Sequence, residues 1–105
     1  MKRLCCLLLA ALPLTALGYP IDVERQSDGV KVDYSAYDTA HDLGAITLNN
    51  YGDKPAECVA TFNNGPETPR VRRARLDPGQ RVNLSASFKR DILRLRIKLV
   101  CKPVD

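Results

Sequence analysis

Apolar and polar residues alternate along most of this chain, and no long stretch repeats at the helical period. The clearest run is Ile92–Lys102, where Leu93, Leu95, Ile97, Leu99 and Cys101 fall on one face and Arg94, Arg96, Lys98 and Lys102 on the other. Successive strand side chains point to opposite faces, so this run predicts a half-buried strand with a cationic outer surface. Ala56–Asn63 alternates likewise, with Cys58, Ala60 and Phe62 on one side, and Arg81–Phe88 places Val82, Leu84, Ala86 and Phe88 inward. Shorter candidates are Ile21–Arg25, Val30–Ala36 and Ala45–Asn49. Turn residues separate these runs: Asp28-Gly29, Asn50-Tyr51-Gly52-Asp53, Asn63-Asn64-Gly65-Pro66 and Asp77-Pro78-Gly79-Gln80. In the last of these, Pro at the second position and Gly at the third fit a type II turn, because Gly tolerates the positive φ required there. Arg70–Leu76 breaks the alternation and carries Arg70, Arg72, Arg73 and Arg75, as a charged edge strand that resists aggregation would.

About seven short strands at this spacing predict an all-β fold. The expected form is a small immunoglobulin-like β-sandwich with one disulfide, and a small barrel is the alternative. The chain has no Trp, so the Cys…Trp…Cys pattern of true immunoglobulin domains is missing. Strand order does not follow from the pattern.

The N-terminus changes the picture. Met1-Lys2-Arg3 is positive, Leu4–Leu12 is apolar, and Ala16-Leu17-Gly18 supplies small residues before a cut. This is the plan of a secretory signal peptide over residues 1–18, followed by a single β domain over residues 19–105. The apolar run is about half the roughly 20 residues a spanning helix needs, and Pro13 interrupts it, so no membrane span is expected. Tyr19 follows the cut where a lipoprotein needs Cys. Cys5 and Cys6 leave with the signal, which pairs Cys58 with Cys101 by default in an oxidising compartment. Both lie on the apolar faces of their own strands, which agrees with a disulfide. Closing the long loop between them stabilises by about 4 kcal/mol in the chain-entropy description. The implied location is periplasmic or secreted.

Charge is segregated. Residues 19–57 hold eight acidic and three basic side chains, whereas residues 58–105 hold four acidic and eleven basic ones. The basic set Arg70, Arg72, Arg73, Arg75, Arg94, Arg96 and Lys98 is the candidate site, a cationic sheet face or rim extended by Lys102. Arg forks suit phosphate and sulfate groups, so an anionic polymer is the implied partner. Phe62 and Phe88 point inward, which removes base stacking and leaves no specific nucleic-acid recognition. The opposing reading is that Asp22, Glu24 and Asp33 on neighbouring strands pair with the outward arginines.

Other chemistry is sparse. His41 beside Asp38 and Asp42 would be a hard or borderline divalent site only if Tyr34–Asp42 made a helical turn; a polar loop or one-turn helix with exposed His41 is the plainer reading. With two mature cysteines and one His, no structural zinc is expected. Ser27, Ser35, Ser85 and Ser87 lack a nucleophile-elbow context, and the mature cysteines are taken. No glycine-rich phosphate loop is present, so no cofactor is implied. Asn83-Leu84-Ser85 is a glycosylation triplet with meaning only in a eukaryotic secretory route.

Ile46-Thr-Leu-Asn-Asn, Ala56-Glu-Cys-Val-Ala-Thr-Phe, Leu76-Asp-Pro-Gly-Gln and Leu93-Arg-Leu-Arg-Ile-Lys-Leu-Val-Cys-Lys-Pro together resemble a family of short exported bacterial proteins of uncharacterised function. The resemblance spans nearly the whole chain and implies an envelope or secreted location but no functional residue. Some members carry the name phosphoglycerate kinase, which this chain contradicts. Such a kinase is a large two-domain α/β enzyme, and a short β-rich chain cannot hold its nucleotide site. The expectation is therefore a non-enzymatic binding module for a polyanion or an envelope or secreted protein. The alternative is a protein-interaction factor, such as a protease inhibitor or assembly accessory, using a sheet edge or the loops Tyr34–Asp42 or Asn63–Arg70.

Overall fold

The six alternating runs and Arg70–Leu76 become seven strands in the computed structural model, which describes residues 18–104. The expected signal segment, apart from Gly18, lies outside the described residues. The strands are β1 (Ile21–Ser27), β2 (Val32–Ala40), β3 (Leu43–Asn50), β4 (Ala56–Asn63), β5 (Arg70–Leu76), β6 (Arg81–Ser87) and β7 (Leu95–Pro103). They form a four-stranded sheet in the order β1-β7-β4-β5 and a three-stranded sheet in the order β2-β3-β6. The sheets do not close into a barrel, so the sandwich stands and the barrel alternative falls.

The core is what the alternation implies. Ala56, Cys58, Ala60 and Phe62 of β4 and Leu95, Ile97, Leu99 and Cys101 of β7 are buried, and Ile46 and Leu48 of β3 cover them from the other sheet. The two layers meet closely where Gly44 of β3 faces Leu95: a Cβ on Gly44 would collide with Leu95 Cδ2. Only a residue without a side chain lets the layers approach so closely. The buried Asn50 is fully employed, donating to Lys54 O (2.8 Å) and Leu76 O (3.0 Å) while its Oδ1 accepts from Gly52 N (3.0 Å). It thereby ties the β3–β4 turn to the end of β5 at no net loss of hydrogen bonds.

Cys58 and Cys101 form the expected disulfide across 43 residues of chain. The bond lies within the four-stranded sheet, linking directly paired positions of β4 and β7, and does not join the two layers. Pro78-Gly79 makes the expected type II turn: Gly79 has φ 81° and Gln80 N donates to Asp77 O at 2.9 Å.

Two expectations change, and a third holds in altered form. Tyr34–Asp42 is neither loop nor helical turn: most of it is β2, which ends in a tight turn at His41-Asp42. Arg70–Leu76 is the edge strand its charge implied, but a regular one, paired residue by residue with β4 from Phe62↔Arg70 to Ala56↔Leu76. Leu93 is not inward; it is 83% exposed, because the strand begins only at Leu95 and residues 88–94 form a connection anchored by buried Phe88 and Ile92.

Candidate functional site

Pairing between β1, β7, β4 and β5 fixes which charges share the outer face of the four-stranded sheet. Reading across the register, Asp22, Arg96 and Asn63 form one row, and Glu24, Lys98, Thr61 and Val71 the next. Gln26, Val100, Val59 and Arg73 follow, and the last row is Lys102, Glu57 and Arg75. Arg73, Arg75, Arg96 and Lys98 of the expected set therefore do converge on one face, joined by Lys102. The opposing reading is realised in part as well. Asp22 and Glu24 flank Arg96 and Lys98 along β1, Asp22 pairs with Arg94 at 3.3 Å, and Arg75 pairs with Asp77 at 3.6 Å. Asp33 lies on the other sheet, opposite Asn49 of β3, and is not among these partners. Adjacent strands lie about 4.8 Å apart, so β1 carboxylates temper the neighbouring cations without neutralising those farther along.

Arg70 and Arg72 are placed elsewhere. Their parity on β5 turns them toward the seam between the two sheets, where β5 runs beside the free edge of β6. Arg70 Nε donates to Ser87 O (3.2 Å) and Arg72 Nε to Ser85 O (3.0 Å). Their Nη1 atoms donate to Thr68 O (3.2 Å) and Val71 O (3.0 Å), and the Arg70 guanidinium stands 5.4 Å over the Phe88 ring. Both side chains thus close a sheet edge by satisfying its orphan carbonyls. Arg25 does the same at the opposite seam, donating to Val32 O (3.1 Å) and lying 5.5 Å over the Tyr34 ring.

The cations of β7 continue upward into the connection that precedes it. Lys89, Arg90 and Arg94 are exposed there, on a segment held from two directions. Glu67, in the β4–β5 loop, accepts from Lys89 N (3.0 Å), Arg90 N (3.0 Å) and Asn64 Nδ2 (3.0 Å). These bonds stabilise its charged form, and its pKa lies below the ordinary carboxyl value, chiefly through the Lys89 amide. On the other side, Phe88 N donates to Asp42 O (2.9 Å), Ile92 N to His41 O (2.7 Å), and His41 Nδ1 to Asp91 Oδ1 (2.7 Å). The Asp91 hydrogen bond, with Asp42 adding to it, raises the His41 pKa. His41 is therefore a loop fastener on an exposed surface. Among the described residues no group of three His, Cys, Asp or Glu side chains is placed to hold a metal ion.

Two open recesses flank this connection. One, of about 360 Å³, is lined by Pro66, Glu67, Thr68, Arg70, Lys89 and Arg90; the other, of about 470 Å³, by Asn63, Gly65, Arg94 and Arg96. Lys89, Arg90 and Glu67 escaped the reading of the sequence because they sit off the alternating runs. The Lys-Arg pair directly after Phe88 was the available signal.

No protein-family model matches this chain, and its sequence matches no curated protein.

Proposed function

We propose that this chain is a non-enzymatic binding module of the bacterial periplasm or extracellular space that holds an anionic ligand. Its binding surface is a cationic stripe: Lys89, Arg90 and Arg94 in the connection before β7, then Arg96 and Lys98 on the outer face of that strand. The observation that carries this reading is that these five exposed cations follow one another along a single fastened stretch of chain. Glu67 is engaged on backbone amides and Asp91 on His41, which leaves Lys89 and Arg90 without a carboxylate partner in a salt bridge among the described residues, while Asp22 and Glu24 along β1 temper Arg94, Arg96 and Lys98 from one side. Guanidinium and ammonium groups spaced along a ridge suit phosphate or sulfate groups of a polymer or a charged surface. Phe62 and Phe88 are buried, and the exposed Tyr34 and Tyr37 belong to β2 in the other sheet, with Tyr51 in the β3–β4 turn, so nucleic acid on the stripe would bind only through its backbone. The signal-like N-terminus and the disulfide support the location.

Heparin chromatography and a salt series test this. The oxidised protein should be retained at low salt and released as salt rises, in proportion to the anionic groups neutralised. Lys89→Glu with Arg90→Glu, and separately Arg96→Glu with Lys98→Glu, should abolish retention. Arg81→Glu, an exposed change at the far end of the sandwich, should not. Absence of retention by the unaltered protein at low salt, or equal loss with Arg81→Glu, refutes the assignment.

A second reading, a protein-interaction factor, draws on one observation. Val59, Val100 and the 45% exposed Val71 cluster on the outer face of the four-stranded sheet. Binding through that apolar patch would survive high salt, and binding through the stripe would not.

A further inference from the structure

Leu93 is the most exposed of the large apolar side chains among the described residues, at 83%, and it sits within the cationic stripe. Its neighbour Ile92 is buried and its amide donates to His41 O, so the backbone is fixed immediately before Leu93 and the side chain is directed away from the core. Arg94 follows it, and Lys89 and Arg90 precede it on the same Glu67-fastened connection. The connection lies at one end of the sandwich together with the β2–β3 turn and the β4–β5 loop. The acidic groups there are Asp22, Asp38, Asp42, Glu67 and Asp91. Asp38 and Asp42 belong to the β2–β3 side, away from the recesses that Arg70, Lys89, Arg90, Arg94 and Arg96 line.

An isolated exposed leucine on a protein surface is ordinary. This one is held on an anchored loop between Lys89-Arg90 and Arg94, where Asp91 is taken up by His41 and Asp22 lies against Arg94. A ligand that matches both features carries anionic groups at its surface and hydrocarbon just beneath. A soluble polysaccharide offers the first alone, and an apolar protein groove the second alone. We infer that this end of the sandwich docks on an anionic lipid surface, with Lys89, Arg90 and Arg94 on the headgroup phosphates and Leu93 inserted at the acyl boundary. Short apolar insertion combined with cationic attraction is how peripheral proteins hold such surfaces without spanning them. The inference rests on the cationic-stripe reading and names the partner of that same surface.

The chain has no Trp, so Leu93→Trp places a single indole reporter at the point of contact. Protein recovered from the periplasmic or extracellular fraction should be mixed with vesicles of phosphatidylglycerol and phosphatidylethanolamine, and separately with vesicles of phosphatidylcholine alone. The Leu93→Trp emission should shift to the blue with the anionic vesicles only. Leu93→Ala should weaken co-sedimentation with those vesicles by about tenfold, the loss expected for removing a partly inserted isobutyl group, while leaving heparin retention unchanged. Lys89→Glu with Arg90→Glu should abolish both. An unshifted Trp emission, or Leu93→Ala binding vesicles as tightly as the unaltered protein, overturns lipid insertion while heparin retention still upholds the stripe. Loss of heparin retention in the unaltered protein overturns both together.

Discussion

Cys58 and Cys101 stand directly opposite one another on antiparallel β4 and β7, their Cα atoms 4.1 Å apart. So close a pair is the signature of a position between the ladder hydrogen bonds, where facing side chains lie nearest. The bond welds the two central strands of the four-stranded sheet, and β7 is the strand that carries Arg96 and Lys98. Cys58→Ser or Cys101→Ser should therefore lower stability by about 2–4 kcal/mol, measured by urea unfolding against the oxidised protein. Thiol titration of the denatured, unreduced protein should find no free thiol at either position.

The β5–β6 turn provides a second check. Gly79 has φ 81° with nothing within 4 Å of its would-be Cβ, so substitution there meets backbone strain and no steric clash. Gly79→Ala should cost about 1 kcal/mol in the same unfolding assay. Gly44→Ala should be worse, because its methyl would collide with Leu95 in the core.

Arg70 and Arg72 give the third prediction. Changing both to Met keeps their aliphatic stems but removes the donors to Ser87 O and Ser85 O. The β6 edge is then open to pairing with another chain, and the doubly substituted protein should self-associate at concentrations where the parent is monomeric, as read by light scattering. Heparin retention should persist, since neither residue belongs to the stripe.

These two arginines show where the sequence could be read and where it could not. Their composition marked an edge strand, and that role is realised. The side to which each points depends on the pairing of β5 with β4, a long-range register that no local pattern encodes. Leu93 misled for a related reason: it shares the parity of Leu95, but alternation does not show where a strand starts. The sandwich, the inward faces of β4, β6 and β7, the Pro78-Gly79 turn and the disulfide were legible because each depends on local periodicity or residue chemistry. Glu67 was not, because it acts by accepting amides of residues more than twenty positions away.

His41 and Asp91 predict a pH dependence of defined sign. The folded protein holds the His41 pKa above its ordinary 6.5, first through the Asp91 hydrogen bond and then through Asp42. Protonated His41 thus favours the fold. The contribution is fully present below the ordinary value and is lost as pH rises through the folded value. A proton NMR titration of this sole histidine should give a midpoint above 6.5, and Asp91→Asn should move it back toward that value.

Glu67 gives the opposite sign and bears directly on the stripe. Its carboxylate accepts from Lys89 N, Arg90 N and Asn64 Nδ2, and its pKa is held below the ordinary 4.5, led by the Lys89 amide. Because the folded value is depressed, the contribution is present above 4.5 and disappears as pH falls through that lowered value. Glu67→Gln offers one carbonyl oxygen where the carboxylate had two, so one of the Lys89 and Arg90 amides loses its acceptor at every pH. Amide hydrogen exchange at Lys89 and Arg90 should accelerate in this variant at neutral pH, while amides within β4 and β7 remain protected. Heparin retention should weaken although no cation has been removed, because the positions of Lys89 and Arg90 are no longer fixed before the ligand arrives. Unchanged exchange at both amides would show that Asp42 O and His41 O hold the connection without Glu67.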